Sequence, residues 1–205
     1  MSRPRQQVWE LGSSWYISRV LAQREVWPDR IRPLRRVEYD SLVESGLLAD
    51  DRVELLLGAL VNVSPQGPLH ADVVQRLAER LIRELPAEVS TRVQSPLALS
   101  DDSEPEPDIA VVPAADYSGA HPHRALLVIE VADTSLPKDR GVKAALYATA
   151  GIDEYWLVNL TERVVEIHRR PSAGRYDQVE RVGASGQLTH VAFPSLRIPV
   201  AGIFP

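Results

Sequence analysis

From Val37 onward the chain switches between stretches whose apolar residues recur every three or four positions and stretches where they alternate or run together. Tyr39, Leu42 and Val43, then Leu47 and Leu48, keep helical spacing, with Gly46 and the Asp50-Asp51 turn closing the segment; this predicts a short helix. Val53 to Leu57, then Gly58, then Ala59 to Val63 predict two strands around a tight turn, ended by Ser64-Pro65-Gln66-Gly67-Pro68. Val73, Val74, Leu77, Leu81, Ile82 and Leu85 recur at three and four residues between Pro68 and Pro86, the signature of an amphipathic helix.

The next stretch is of beta type: Val89 to Leu99, Ile109 to Val112, and Ala125 to Val131. The last is nearly continuous in apolar residues, as in a strand buried on both faces. A helix is predicted from about Pro137, in its first turn, to Ala150, where Gly151 stops it. Tyr155 to Val158 reads as another buried strand, and Val164 to Arg169 with Tyr176 to Val182 as a meander joined through Pro171-Ser172-Ala173-Gly174. The order predicts a mixed α/β (α+β) domain, its central sheet mixed but largely antiparallel and flanked by helices, without repeats or a long linker.

Composition narrows the chemistry. The 205 residues are 44% hydrophobic and 25% charged, a soluble globular composition with enough apolar material for a core. With no cysteine, disulfides, thiolate zinc sites and cysteine nucleophiles are excluded, so a metal would rest on oxygen or imidazole ligands. No apolar run approaches the roughly 20 residues that span a bilayer, and no secretory signal opens the chain; a cytoplasmic setting away from membranes is expected. The net charge of −5 is uneven: residues 1–36 carry eight Arg against Glu10, Glu25 and Asp29, or +5, leaving −10 for the rest. Residues 1–36, with Trp9, Trp15 and Trp27 among their arginines, are set apart as an N-terminal extension without an assigned role, and 37–205 as the domain.

Two acids punctuate two buried strands. Asp108 ends Glu104-Pro105-Glu106-Pro107-Asp108 just before Ile109, and Glu130 ends Leu127-Val128-Ile129-Glu130. In an antiparallel hairpin, the start of one strand and the end of the other share an edge, so the two carboxylates converge. Paired carboxylates repel unless they share a proton or a cation, and with no cysteine a Mg²⁺ or Mn²⁺ site is the simplest resolution. In the following helix Asp139, Lys143 and Tyr147 stand four residues apart on one face. An inward Lys143 would orient water or stabilise phosphoryl charge; on spacing alone, a solvated Asp139–Lys143 pair is the simpler reading. No nucleotide-binding Gly-rich loop with Lys, no Gly-x-Ser-x-Gly elbow and no His-Glu-x-x-His helix is present.

From about Val37 to the C-terminus these residues resemble the Uma2-type (DUF820) branch of the PD-(D/E)xK nuclease superfamily. The resemblance rests on Arg52-Val53-Glu54-Leu55 with Gly58, Ser64-Pro65 with His70, Gln94-Ser95-Pro96 and Glu104-Pro105-Glu106-Pro107-Asp108. It continues through Val128-Ile129-Glu130-Val131-Ala132, Asp139-Arg140-Gly141-Val142-Lys143 and the run from Tyr147 to Trp156. It implies a restriction-endonuclease-like core, Mg²⁺ bound by Asp108 and Glu130, and a Lys that assists the attacking water. The superfamily pattern wants that Lys at position 132, where this chain has Ala; Lys143 is the position that matches, a helix-borne ammonium on a long stem.

By the same resemblance Glu54 is the early acid, binding a second cation or completing the first cation's shell, or else a strand-edge carboxylate satisfied by Arg52 or the turn. His70 faces the phosphate or caps its helix, and Asp139 holds Lys143. The His121-Pro122-His123 loop reads as surface chemistry. The expected activity is Mg²⁺-dependent (Mn²⁺ as substitute) endonucleolytic hydrolysis of nucleic acid, DNA before RNA, by a homodimer. The alternative is an inactive nuclease-fold module that binds DNA or protein, which a Lys143 turned to solvent would favour.

Overall fold

A computed structural model describes residues 32–205 and the backbone of a short antiparallel ladder, β1 (Glu25–Val26) and β2 (Asp29–Arg30). The Trp-rich stretch set apart by sequence, with Trp9, Trp15 and Trp27, lies outside the described residues. Helix α1 (Arg36–Glu44) ends before Gly46, whose φ of 75° turns the chain, so Leu47 and Leu48 fall outside it. Strands β3 (Val53–Leu56) and β4 (Ala59–Asn62) form the predicted hairpin. Its two turn residues, Leu57 and Gly58, both have positive φ, 52° and 74°, the backbone that the twist of a two-residue hairpin favours. A Cβ at Gly58 would meet the Pro33 Cβ at 2.3 Å.

Helix α2 (Pro68–Glu84) starts with Pro in its first turn and buries Val73, Val74, Leu77 and Leu81, each contributing about 1.5–3 kcal/mol by transfer from water. The central sheet has the order β10-β9-β8-β7-β6-β5, where β5 is Val89–Val93, β6 Ile109–Pro113, β7 Leu127–Ala132, β8 Glu154–Asn159, β9 Val164–Ser172 and β10 Arg175–Val182. Every neighbouring pair is antiparallel except β7–β8, which matches the mixed, largely antiparallel expectation. The parallel pair needs a crossover, supplied by one helical segment, α3, built from Leu136–Lys138, a π-helical turn Asp139–Lys143 and Ala144–Thr149. Two short strands, β11 (Gln187–Leu188) and β12 (Ile198–Pro199), close the chain.

One expectation fails. Val89 to Leu99 is not a single strand: β5 stops at Val93, Gln94 turns into the left-handed region with φ 46°, and Pro96 follows with no N–H for a ladder. The π-turn was also not predicted.

Side-chain alternation along the sheet divides the core. Ile109, Val111, Leu127, Ile129 and Val131 join the cluster that holds α2. Ala110, Val112, Val128 and Ala132 join the one that holds Val142, Leu146 and Tyr147 of α3. Since strand side chains alternate with period two, Asp108 and Glu130 belong with the α3 set, and so does Ala132. Among the described residues no helix is long and apolar enough to cross a membrane.

Candidate active site

The β6–β7 register, Ile109 opposite Ile129 and Ala110 opposite Val128, sets Asp108 and Glu130 opposite each other where the ladder ends. The Asp108 carboxylate continues that ladder, its Oδ2 accepting the Val131 N–H at 2.8 Å. Both acids are buried, with 8% and 4% exposed. From α2, His70 reaches the same oxygen, Nε2 to Oδ2 3.1 Å. The helix has no side-chain cap, so His70 does not serve as one. Burial works against a charged imidazole, but the hydrogen bond and charge of Asp108 outweigh it, and the His70 pKa rises above the ordinary value.

Lys143 points inward. Only 3% exposed, its Nζ lies 2.9 Å from Glu130 Oε1 and 2.9 Å from Glu54 Oε2. Burial alone would discharge the amine; the carboxylates of Glu130, Glu54 and Asp139 outweigh it and hold the ammonium charged, with its pKa raised. Asp139 is buried and adds to this field, although among the described residues no ion pair joins it to Lys143. Tyr147, one turn further along α3, donates its O–H to Glu130 Oε1 at 2.5 Å, and burial next to Glu130 keeps the phenol protonated by raising its pKa well above normal.

Glu54 on β3 is 1% exposed. Oε1 accepts from Lys138 at 2.9 Å, and Oε2 meets Lys143 and the Glu106 N–H, the latter at 3.2 Å. Its partners are thus two lysines of α3, where the strand-edge reading expected Arg52 or the turn. Sequence reasoning missed Lys138 and gave Tyr147 no chemistry. Lys138 and Lys143 are five residues apart, which an α-helix does not align; the Ala144 N–H to Asp139 carbonyl bond closes the wider turn that brings both to Glu54.

Apart from Tyr147, which lies behind Glu130, these groups line one cavity of ≈ 360 Å³, together with Arg52, Gln66 and Gln94. Its wall carries six carboxylates, from Glu54, Glu106, Asp108, Glu130, Asp133 and Asp139, against three cations, Arg52, Lys138 and Lys143. The surplus is felt: burial first, then Asp139, Asp108 and Glu54, push Glu130 up to about 8 despite Lys143. Among the described residues no three acid or imidazole groups are gathered as a finished metal centre. Yet the hydrogen bonds of Asp108 and Glu130 fall on Oδ2 and Oε1 alone, leaving one oxygen of each. Two carboxylate oxygens amid excess negative charge suit Mg²⁺, which takes one or two carboxylates and fills its remaining positions with water and substrate phosphate.

The fold and this acidic cleft define a restriction-endonuclease-like α/β protein. The family model of Uma2, described as "putative restriction endonuclease", matches residues 37–201, and the chain belongs to that family. The crystal structure at 1.96 Å resolution of "a putative nuclease belonging to DUF820" from Anabaena variabilis shares the fold with a TM-score of 0.60 at 16% identity, covering 74% of this chain and 89% of that one. No curated protein matches the sequence.

Proposed function

We propose that the chain is a Mg²⁺-dependent endonuclease that hydrolyses phosphodiester bonds of DNA, with Asp108 and Glu130 as metal ligands and Lys143 as the charged assistant. The observation that carries this reading is the buried Lys143 ammonium at 2.9 Å from Glu130, on the edge where Asp108 and Glu130 stand opposite each other. The inactive-module reading called for a Lys143 turned to solvent, and the side chain is turned the other way.

Asp108 and Glu130 would hold the Mg²⁺, which when bound would supply Lewis acidity toward the phosphate and the attacking water. Lys143 acts as a hydrogen-bond donor rather than a base, because three carboxylates keep it protonated. Two of its three N–H groups are directed to Glu130 and Glu54; the third orients the attacking water or meets charge growing on the phosphoryl oxygens. His70 and the Val131 N–H fix Asp108, and Tyr147 fixes Glu130. Glu54 fits the role of holding Lys138 and Lys143 better than that of a ligand, because both its oxygens face ammonium groups. A homodimer would supply two such clefts, one for each strand of a duplex.

Purified protein with Mg²⁺ or Mn²⁺ is expected to convert supercoiled DNA to nicked and linear forms and to stop when EDTA is added. Equal conversion in EDTA refutes metal dependence, and cleavage confined to RNA refutes the DNA assignment.

A further inference from the structure

We infer that Gln94 is a further substrate-contacting residue of this cleft, its carboxamide donating a hydrogen bond to a phosphate oxygen of the strand being cut. The inference rests on the nuclease reading above and adds to it a residue outside the carboxylate–lysine cluster.

Position is the first ground. Val93 pairs with Ile109 at the end of β5, so Gln94 stands opposite Asp108, and its backbone N–H donates to the Asp108 carbonyl oxygen at 3.0 Å. The residue is exposed and lines the same cavity as Asp108, Glu130 and Lys143. Among the described residues its side chain makes no hydrogen bond, so a donor and an acceptor are left for a ligand.

The second ground is backbone strain. Gln94 has φ 46°, in the left-handed region that side chains with a Cβ avoid and glycine enters freely. At Leu57 a two-residue hairpin turn demands the same conformation. Gln94 instead opens the long connection to β6, where glycine would make the turn without strain. Strained non-glycine residues beside a reactive centre point to a side chain with work to do.

Chemistry then selects the contact. In this wall with six carboxylates both ammonium groups, of Lys138 and Lys143, are drawn to Glu54. A neutral carboxamide escapes that capture and can still donate to a phosphate oxygen. Standing opposite a metal-ligand carboxylate, it meets the scissile phosphate and its neighbours rather than a base edge, and phosphate contacts position the strand without reading sequence.

The test compares wild type with Gln94→Gly, which removes the carboxamide and relieves the backbone. Three readouts are taken: thermal midpoint, kcat/KM on a panel of DNA duplexes differing around the cut site, and anisotropy of labelled duplex with Ca²⁺ in place of Mg²⁺. Expected are a midpoint no lower than wild type, weaker binding, and kcat/KM reduced about tenfold or more by loss of a hydrogen bond to a charged acceptor, by a similar factor on every sequence. Unchanged cleavage and binding overturn the inference and leave the nuclease reading standing. A loss matched by a lowered midpoint overturns it in favour of a structural role, and a loss confined to particular sequences overturns the phosphate contact. Wild type that binds but does not cut fails the nuclease reading, while the binding comparison still decides Gln94. Wild type that does neither overturns both.

Discussion

Lys143 reaches Glu130 from a different element, Nζ to Oε1 at 2.9 Å with both residues buried, and so occupies the side of the sheet toward which Ala132 points. The second strand supplies the acid, and the crossover helix packed on that face supplies the ammonium.

That contact has a stability consequence. Lys143→Met leaves the buried Glu54 carboxylate with Lys138 as its one ammonium partner and strips Glu130 of the cation that favours its charged form, and breaking a buried pair from one side costs about 3–5 kcal/mol. Urea unfolding at neutral pH is expected to show a loss of that order. The double variant Lys143→Met/Glu54→Gln recovers part of it, since one of the stranded acids is then neutral.

If position in space matters and parentage does not, the lysine can be moved. Ala132 belongs to the same sheet face as Glu130 and is fully buried. Lys143→Ala is expected to abolish cleavage. Ala132→Lys added to it should restore measurable Mg²⁺-dependent cleavage. A double variant as inactive as Lys143→Ala argues that the helix geometry itself is required.

Tyr147→Phe removes a single O–H from Glu130 Oε1. A hydrogen bond to a charged group contributes about 1.5–3 kcal/mol, and loss of a group that orients a metal ligand typically weakens metal binding about 10–100-fold. The Mg²⁺ concentration for half-maximal cleavage is expected to rise within that range, with kcat at saturating metal changed far less. An unchanged metal requirement makes Tyr147 a packing residue only.

Part of the acid stability is set away from the cleft. Burial alone would raise the Glu166 pKa, but the His168 imidazole 3.7 Å away and the two hydrogen bonds and charge of the Arg140 guanidinium hold it at about 2, with Arg181 of β10 a further cation at 3.9 Å. A carboxylate whose folded pKa is depressed contributes stability that is complete above its unfolded pKa and declines as pH falls toward the folded one. Unfolding free energy should therefore fall between about pH 5 and pH 2, and Glu166→Gln should be less stable at pH 7 and show a shallower decline over that window.

The legible part of this site was its strand geometry. Alternation and the buried runs predicted β6 and β7, and their pairing brought Asp108 and Glu130 to one edge without reference to any relative. Helical spacing put Asp139, Lys143 and Tyr147 on one face but could not say which neighbour that face meets, so the inward Lys143 rested on resemblance. Lys138 was hidden for a related reason: a π-turn shifts the helical phase after residue 138, and no local sequence preference announces it. The early end of β5 was written in Ser95-Pro96, and the apolar run up to Leu99 masked it.

The central claim is that Asp108, Glu130 and Lys143 form one metal-dependent hydrolytic site, and single-turnover cleavage of a labelled DNA duplex in Mg²⁺ tests it most directly. Wild type is compared with Asp108→Ala, Glu130→Ala and Lys143→Ala, each verified as folded by circular dichroism. The account predicts cleavage by wild type and a loss of at least about a hundredfold in each variant. Cleavage by folded Asp108→Ala or Glu130→Ala at the wild-type rate would contradict it.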